Sequence, residues 1–213
     1  MPNGLGIVAG FPQILSDAPT VKAALRRRIR AARRLRTPAE RAEAARALAG
    51  VALELPAVQA AHCVALYAAT GTEPGTAPLR RALRSQGIGV VLPLVREGGL
   101  EWAWDTGDDL RPGRGPGGAE PAGPTLGPRG LLTADVVLVP ALAVDTLGAR
   151  LGQGGGYYDG ALPLLDPGVP VFAVVHDDEV LDAAVEAVPG EPHDVPVDGA
   201  LTPLRCLRLP GRS

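Results

Sequence analysis

Apolar and polar positions follow two rhythms along this chain. Val21, Leu25, Ile29 and Ala32 recur at helical spacing and predict an amphipathic helix over residues 21–36. Lys22, Arg26, Arg30 and Arg33 form a basic stripe beside them, with Thr20 as a candidate cap. Thr37-Pro38-Ala39-Glu40 then has the capping-box pattern with proline at the first helical position, which starts a second helix reaching about Leu53. Continuous apolar runs bounded by turn residues predict buried strands at 62–67, 87–93, 134–140 and 169–175, with a shorter strand at 100–104. Helices are expected at 76–86, at 158–165 and at 178–188, and residues 193–198 look extended. The Gly- and Pro-rich stretch 105–133 reads as a long irregular connection. Strands alternating with helices imply an α/β fold: a mostly parallel sheet with helices on both faces and an N-terminal helical arm.

Composition narrows this picture. With 213 residues and 46% hydrophobic content, the chain suits one domain, read here as residues 20–205, between a disordered N-terminus (1–19) and a short tail (206–213). The apolar start lacks a leading positive charge and a small-residue cleavage site, and nothing suggests a membrane span, so a cytoplasmic protein is expected; it is read as a monomer. Cys63 and Cys206 lie far apart in sequence and fit a reduced protein, with Cys63 as a small core residue. Trp102 and Trp104 alternate along one strand and read as core. The net charge of −2 and 3% aromatic content argue against a nucleic-acid binder. The charge is unevenly spread, however: residues 18–39 hold eight basic residues and no acid, and residues 151–204 hold no Lys or Arg. A site built from both ends would bring positive charge and carboxylates together around a polyanion and its metal. Lys22 is the single lysine among 21 basic residues. It is either an accident of an arginine-rich composition or a position that needs a compact point charge.

The chemistry concentrates in Arg150-Leu-Gly-Gln-Gly-Gly-Gly-Tyr-Tyr-Asp159, which follows the strand at 134–140. Gly152, Gly154, Gly155 and Gly156 allow a ligand to approach the backbone closely, and successive exposed N–H groups make an anion-binding concavity. Arg150 brackets the loop as a phosphate fork, and Asp159 as a ligand for a hard cation. The loop is not a P-loop, because no Lys-Ser or Lys-Thr pair occurs in the chain. It is not a dinucleotide fingerprint either, because Tyr157 stands where Gly or Ala is required. Taken alone, the loop also reads as a flexible turn, the basic stripe as a solvated helix face, and Asp159 as a helix cap. A sugar-phosphate isomerase or transferase would share such a loop but would need its own acid–base pair.

Four blocks in order resemble the 5-formyltetrahydrofolate cyclo-ligase family: Lys22-x-x-Leu25-Arg26; Leu66-Tyr67 with Gly71-Thr-Glu73-Pro-Gly-Thr76; Val139-Pro140 to Asp145 leading into Gly148-Ala-Arg150 and the loop to Asp159; and Glu191-Pro-His193-Asp194 with Asp198. The departures are local. Gly155 stands where many members have Lys, Gly160 where Arg often follows, and Pro74-Gly75 where Val-Asp is usual. The resemblance implies Mg²⁺- and ATP-dependent conversion of 5-formyltetrahydrofolate to 5,10-methenyltetrahydrofolate through a phosphorylated formyl group. It implies that Lys22, Arg26, Arg150, Gly152, Gln153, Gly154, Gly155, Gly156, Tyr157 and Tyr158 bind ATP. Ala68, Glu73, Gln153 and Tyr157 would bind the folate, and Asp159 and Asp194 would hold Mg²⁺. Tyr157 and Arg150 would lie against the transferring group. His193 is given no chemistry.

Overall fold

The computed structural model describes residues 18–107, 110–113 and 118–211. Two helices open the chain, α1 (Ala18–Leu35) and α2 (Pro38–Leu53), followed by the single turn α3 (Pro56–Gln59). Strand β1 (Cys63–Ala65), helix α4 (Ala77–Ser85), β2 (Gly89–Arg96) and β3 (Gly99–Trp104) follow. A small hairpin, β4 (Leu110–Pro112) and β5 (Ala119–Pro121), precedes β6 (Val136–Pro140), β7 (Ala143–Asp145) and β8 (Arg150–Leu151). After the glycine loop come α5 (Tyr157–Ala161), β9 (Val171–Val174), β10 (Val180–Leu181), β11 (Gly199–Leu201) and β12 (Cys206–Arg208).

The main sheet has the order β12-β11-β9-β6-β1-β2-β3. Its five central strands are parallel, and β3 and β12 run antiparallel at the two edges. The chain builds outward from β1 to β3 on one side and from β6 to β12 on the other. The order therefore reverses between β1 and β6, and the crevice beyond their carboxyl ends is where such sheets bind ligands.

Side chains on successive strand residues face opposite sides, which divides the core in two. Val64, Leu66, Leu138 and Val174 pack under α2, α3 and α4 with Leu48, Val58, Leu79 and Leu83. Cys63, Ala65, Val137, Val139 and Ala173 pack on the other face against α5 and two 3-10 turns, with Leu131, Ala161 and Leu162. The helices thus cover both faces. Thr37 closes the expected capping box: Glu40 N–H donates to Thr37 Oγ1 at 3.2 Å, and Thr37 N–H donates to Glu40 Oε2 at 2.7 Å.

Several expectations are corrected. The helix at 178–188 does not form; Asp177–Glu179 is a 3-10 turn and Val180–Leu181 pairs with β7. The connection at 105–133 contains the β4–β5 hairpin and a 3-10 helix, Pro128–Thr133. Strands β11 and β12 carry the sheet past residue 198 and into the stretch read as a tail. The first helix begins at Ala18, so Thr20 sits in its first turn and does not cap it. The remainder of the segment read as a disordered N-terminus, residues 1–17, lies outside the described residues.

The glycine loop does not leave β6 directly. The β7–β8 hairpin intervenes, and its turn is fixed by Asp145, which is almost fully buried. Asp145 Oδ1 accepts the N–H groups of Leu147 at 3.0 Å and Ala149 at 2.9 Å, and Oδ2 accepts Val188 N–H at 2.9 Å. Gly148 supplies the left-handed residue of that turn at φ +90°. The hairpin is also the platform for α1, whose Leu25 and Ile29 pack on Leu142, Ala143, Leu151 and Val188.

Candidate active site

All four members of the basic stripe on α1 reach the body of the protein. Lys22 Nζ donates to Glu191 Oε2 at 2.6 Å and to Asp194 Oδ2 at 2.5 Å. Arg26 Nε donates to the carbonyl of Gly152 at 2.9 Å, and Arg30 donates to the carbonyl and side chain of Gln153. Arg33 forks onto Glu179 and also donates to the carbonyl of Ala141, at 2.7 Å. The stripe is a docking face and not a solvated one. It lays α1 along the glycine loop and sets one wall of a cavity of about 440 Å³.

The other walls come from the switch-point loops. Tyr67 follows β1, Pro140 ends β6, and Pro93, Val95 and Leu100 supply an apolar side from β2 and β3. Residues 67–76 form a self-braced loop. Tyr67 Oη donates to the carbonyl of Pro74 at 3.0 Å, and Thr76 Oγ1 donates to the carbonyl of Tyr67 at 2.6 Å. Within that loop Glu73 Oε2 accepts the Thr70 N–H at 3.0 Å, while Oε1 faces Gln153 Nε2 at 3.4 Å. One carboxylate oxygen is thus committed to the loop and the other is turned toward the glycine segment.

Every sequence-predicted site residue lines this one cavity except Ala68. Ala68 is buried in the helix-side core, and the neighbour presented to the cavity is Tyr67. Gly154 and Gly156 have φ of +106° and +66°, which lets the loop reverse before α5. The Tyr157 ring lies over Gly155, where a Cβ would come within 2.7 Å of the ring. Arg150 Nη2 donates to Asp159 Oδ1 at 2.5 Å, and the same oxygen accepts Val195 N–H at 3.2 Å. Tyr158 meets Trp102 edge-to-face with ring centroids 6.4 Å apart. Trp102 is core, whereas Trp104 is partly exposed with its ring against Gly89.

The electrostatics of the site pair opposites. Burial alone would pull the Lys22 ammonium down, but its hydrogen bonds to Asp194 and Glu191 outweigh that and hold its pKa above the ordinary value. Asp194 is the mirror case: burial pushes it up, and hydrogen bonds from Lys22 and from the Glu191 amide bring it below the usual carboxylate range. Burial, assisted by the charge of Glu73, pushes the Tyr158 hydroxyl upward, so it stays protonated and able to donate. Among the described residues, Arg150 Nε and the Tyr158 hydroxyl are buried without a hydrogen-bond partner, and both side chains line the cavity. Unsatisfied buried donors of this kind suit an acceptor-rich guest.

The residues also suit a hard cation. Glu191, His193 and Asp194 offer ligand atoms all within 4.8 Å of one another, and the Lys22 ammonium already stands between the two carboxylates as a positive charge. Asp159 is not part of that group; it lines the same cavity and is held by Arg150. Sequence reasoning missed Tyr67 and the apolar wall, and it gave Glu191 and His193 no role. The signal for Glu191 was its position three residues before Asp194, on the segment that the lone lysine reaches across 169 positions of sequence.

A doubly wound α/β sheet with a donor-rich cavity at its switch point, where basic residues and carboxylates are paired along the wall, defines an enzyme class that handles charged small molecules. The chain belongs to the 5-formyltetrahydrofolate cyclo-ligase family, which it matches over residues 18–203. It is 41% identical over 152 residues to the 5-formyltetrahydrofolate cyclo-ligase of Mycolicibacterium smegmatis, covering 67% of this chain and 74% of that protein. It is 32% identical over 184 residues to the 5-formyltetrahydrofolate cyclo-ligase of Escherichia coli strain K12, covering 82% of this chain and 96% of that protein. Its fold matches the NMR structure of Aquifex aeolicus 5,10-methenyltetrahydrofolate synthetase with a TM-score of 0.74 and 27% identity, over 91% of this chain and 95% of the other. No helix among the described residues is long and apolar enough to cross a membrane.

Proposed function

We propose that this protein converts 5-formyltetrahydrofolate to 5,10-methenyltetrahydrofolate at the expense of ATP, releasing ADP and phosphate. The observation that carries the reading is the convergence of all four sequence blocks on one cavity, with cations and carboxylates alternating along its wall. The formyl oxygen is a poor leaving group. It attacks the γ-phosphorus, an O–P bond forms, and ADP departs. The neighbouring anilino nitrogen of the folate then attacks the formyl carbon. As the ring closes, the C–O bond breaks, phosphate leaves and the nitrogen gives up its proton. The chain's task is to align these groups, offset phosphate charge and exclude water.

Lys22 and Arg26 address the phosphates from α1, and Arg150 with the Gly152–Gly156 backbone cradles them from below. Asp159 and Asp194 would hold Mg²⁺, which would help to offset the phosphate charge. Glu73 takes the pterin end through Oε1, the oxygen turned toward the glycine segment, and Gln153, whose amide donates to that oxygen at 3.4 Å, lies between the two substrates. Tyr157 covers the transferring group. The protein is read as a cytoplasmic monomer; Cys63 and Cys206, both free, fit a reducing compartment. The test is the absorbance of methenyltetrahydrofolate on mixing protein, 5-formyltetrahydrofolate, ATP and Mg²⁺. Product should form only when all are present, and a folded protein that makes none would exclude the reading.

A further inference from the structure

The turn that holds Lys22 is rigid. Asp194 Oδ2 accepts the backbone N–H of Glu191 at 2.7 Å, and Asp194 N–H donates to the carbonyl of Glu191 at 2.9 Å. These bonds seat the Asp194 carboxylate on the Glu191 backbone, and the ammonium bridges that carboxylate and the Glu191 side chain. The Lys22 side chain retains only 4% of its surface exposed, and all three residues line the cavity.

The two carboxylates have different duties. Asp194 Oδ2 serves both Lys22 and a backbone amide, and under the reading above Asp194 also serves the divalent cation. Glu191 Oε2 serves Lys22. When the cation takes Asp194, the ammonium loses one partner, and a four-carbon stem gives it the freedom to leave the site. Glu191 is then what retains it. An ammonium has three donors, so with one N–H on Glu191 and Asp194 given over to the cation, two remain for phosphate oxygens.

We propose that Glu191 is a positioning residue: it holds Lys22 Nζ against the nucleotide phosphates while Asp194 attends to the cation. Although Glu191 is one of the three groups whose oxygens could reach a cation, in this role it acts through Lys22 and not as a ligand. This inference rests on the nucleotide reading of the cavity.

The sign of the effect distinguishes the role. Glu191 is an anion beside a site for a polyanion, and by Coulomb repulsion alone its removal should help a nucleotide bind. Positioning through Lys22 gives the opposite sign. The experiment is a calorimetric titration of Mg·ATP, without folate, into the native protein, Glu191→Gln, Lys22→Met and the double variant, each first shown to be folded by circular dichroism. In the native background, Glu191→Gln should weaken binding on the order of tenfold, the scale of a lost hydrogen bond to a charged group. In the Lys22→Met background the same change should leave affinity unchanged or improve it, because the group it acts through is gone. Equal losses in both backgrounds would make Glu191 a direct ligand and overturn the proposal, as would no loss in the native background. If Lys22→Met does not fold, Lys22→Gln closes the same cycle. Failure of the native protein to bind Mg·ATP would be a separate result. It would remove the nucleotide reading and this proposal with it.

Discussion

Arg33 Nε and Nη2 grip the two carboxylate oxygens of Glu179, each at 2.7 Å, where the Arg33 side chain is 1% exposed and that of Glu179 3%. The pair pins the C-terminal half of α1 to the turn after β9, so the N-terminal half can present Lys22 and Arg26 to the cavity. Burial would lower the Arg33 pKa, but the hydrogen bonds and charge of Glu179 raise it instead. Breaking such a pair leaves an uncompensated buried charge. Glu179→Gln is therefore expected to cost on the order of 3–5 kcal/mol in urea unfolding. A loss under about 1 kcal/mol would mean that the Arg33–Glu179 pair does not anchor α1 and that its other contacts hold it.

That anchor explains which parts of the fold could be read from the sequence. The apolar runs of β1, β2, β6 and β9 and the capping box at Thr37 are local signals, and the structure keeps them. The stretch 178–188 has helix-forming composition, yet Asp178 and Glu179 are drawn to Arg36 and Arg33, and Val180–Leu181 is taken by β7. Long-range pairing overrides local propensity there. The site shows the same division. Residue types and spacing mark the glycine loop and the lysine, whereas Glu191 and Tyr67 gain meaning only when distant segments meet. The strand β12 was missed because three residues at a sheet edge carry too little periodicity to register.

Asp159→Asn and Asp194→Asn should each weaken the dependence of activity on Mg²⁺ far more than they weaken folate binding, because each removes formal negative charge from a hard-cation site. Magnesium titrations of initial rate beside folate binding curves measure this. Two variants with native metal curves would take these carboxylates out of the cation site.

Gly155 bears on Tyr157. A Cβ at position 155 would lie 2.7 Å from the Tyr157 ring, so Gly155→Ala must push that ring aside. Turnover should fall by about threefold while thermal stability changes little, because the ring loses the seat it has in this chain, although the many family members with Lys here show that such a site can place the ring around a Cβ. Native turnover in Gly155→Ala would show that the Tyr157 ring has no part in alignment.

The Lys22–Asp194 pair has a defined pH window. Asp194 has its folded pKa below the ordinary 3.8, so its contribution is present above 3.8 and is lost as pH falls through the lower folded value. Lys22 has its folded pKa above the ordinary 10.5, so its contribution is full below 10.5 and is lost as pH rises through the higher folded value. The stability difference between the native protein and Lys22→Met should then be level across neutral pH and shrink as pH falls below 3.8 or rises above 10.5. Urea unfolding across that range measures it, and a difference that does not change with pH would show that Lys22 contributes through packing of its stem alone.

In the proposed reaction ATP phosphorylates the formyl oxygen in this cavity before the ring closes. The most direct measurement is a single-turnover reaction with 5-formyltetrahydrofolate carrying heavy oxygen in its formyl group, followed by mass analysis of the released phosphate. One labelled oxygen per phosphate is the predicted result, because the formyl oxygen must leave bonded to phosphorus. Methenyltetrahydrofolate formed with unlabelled phosphate, the label passing to water, would contradict it.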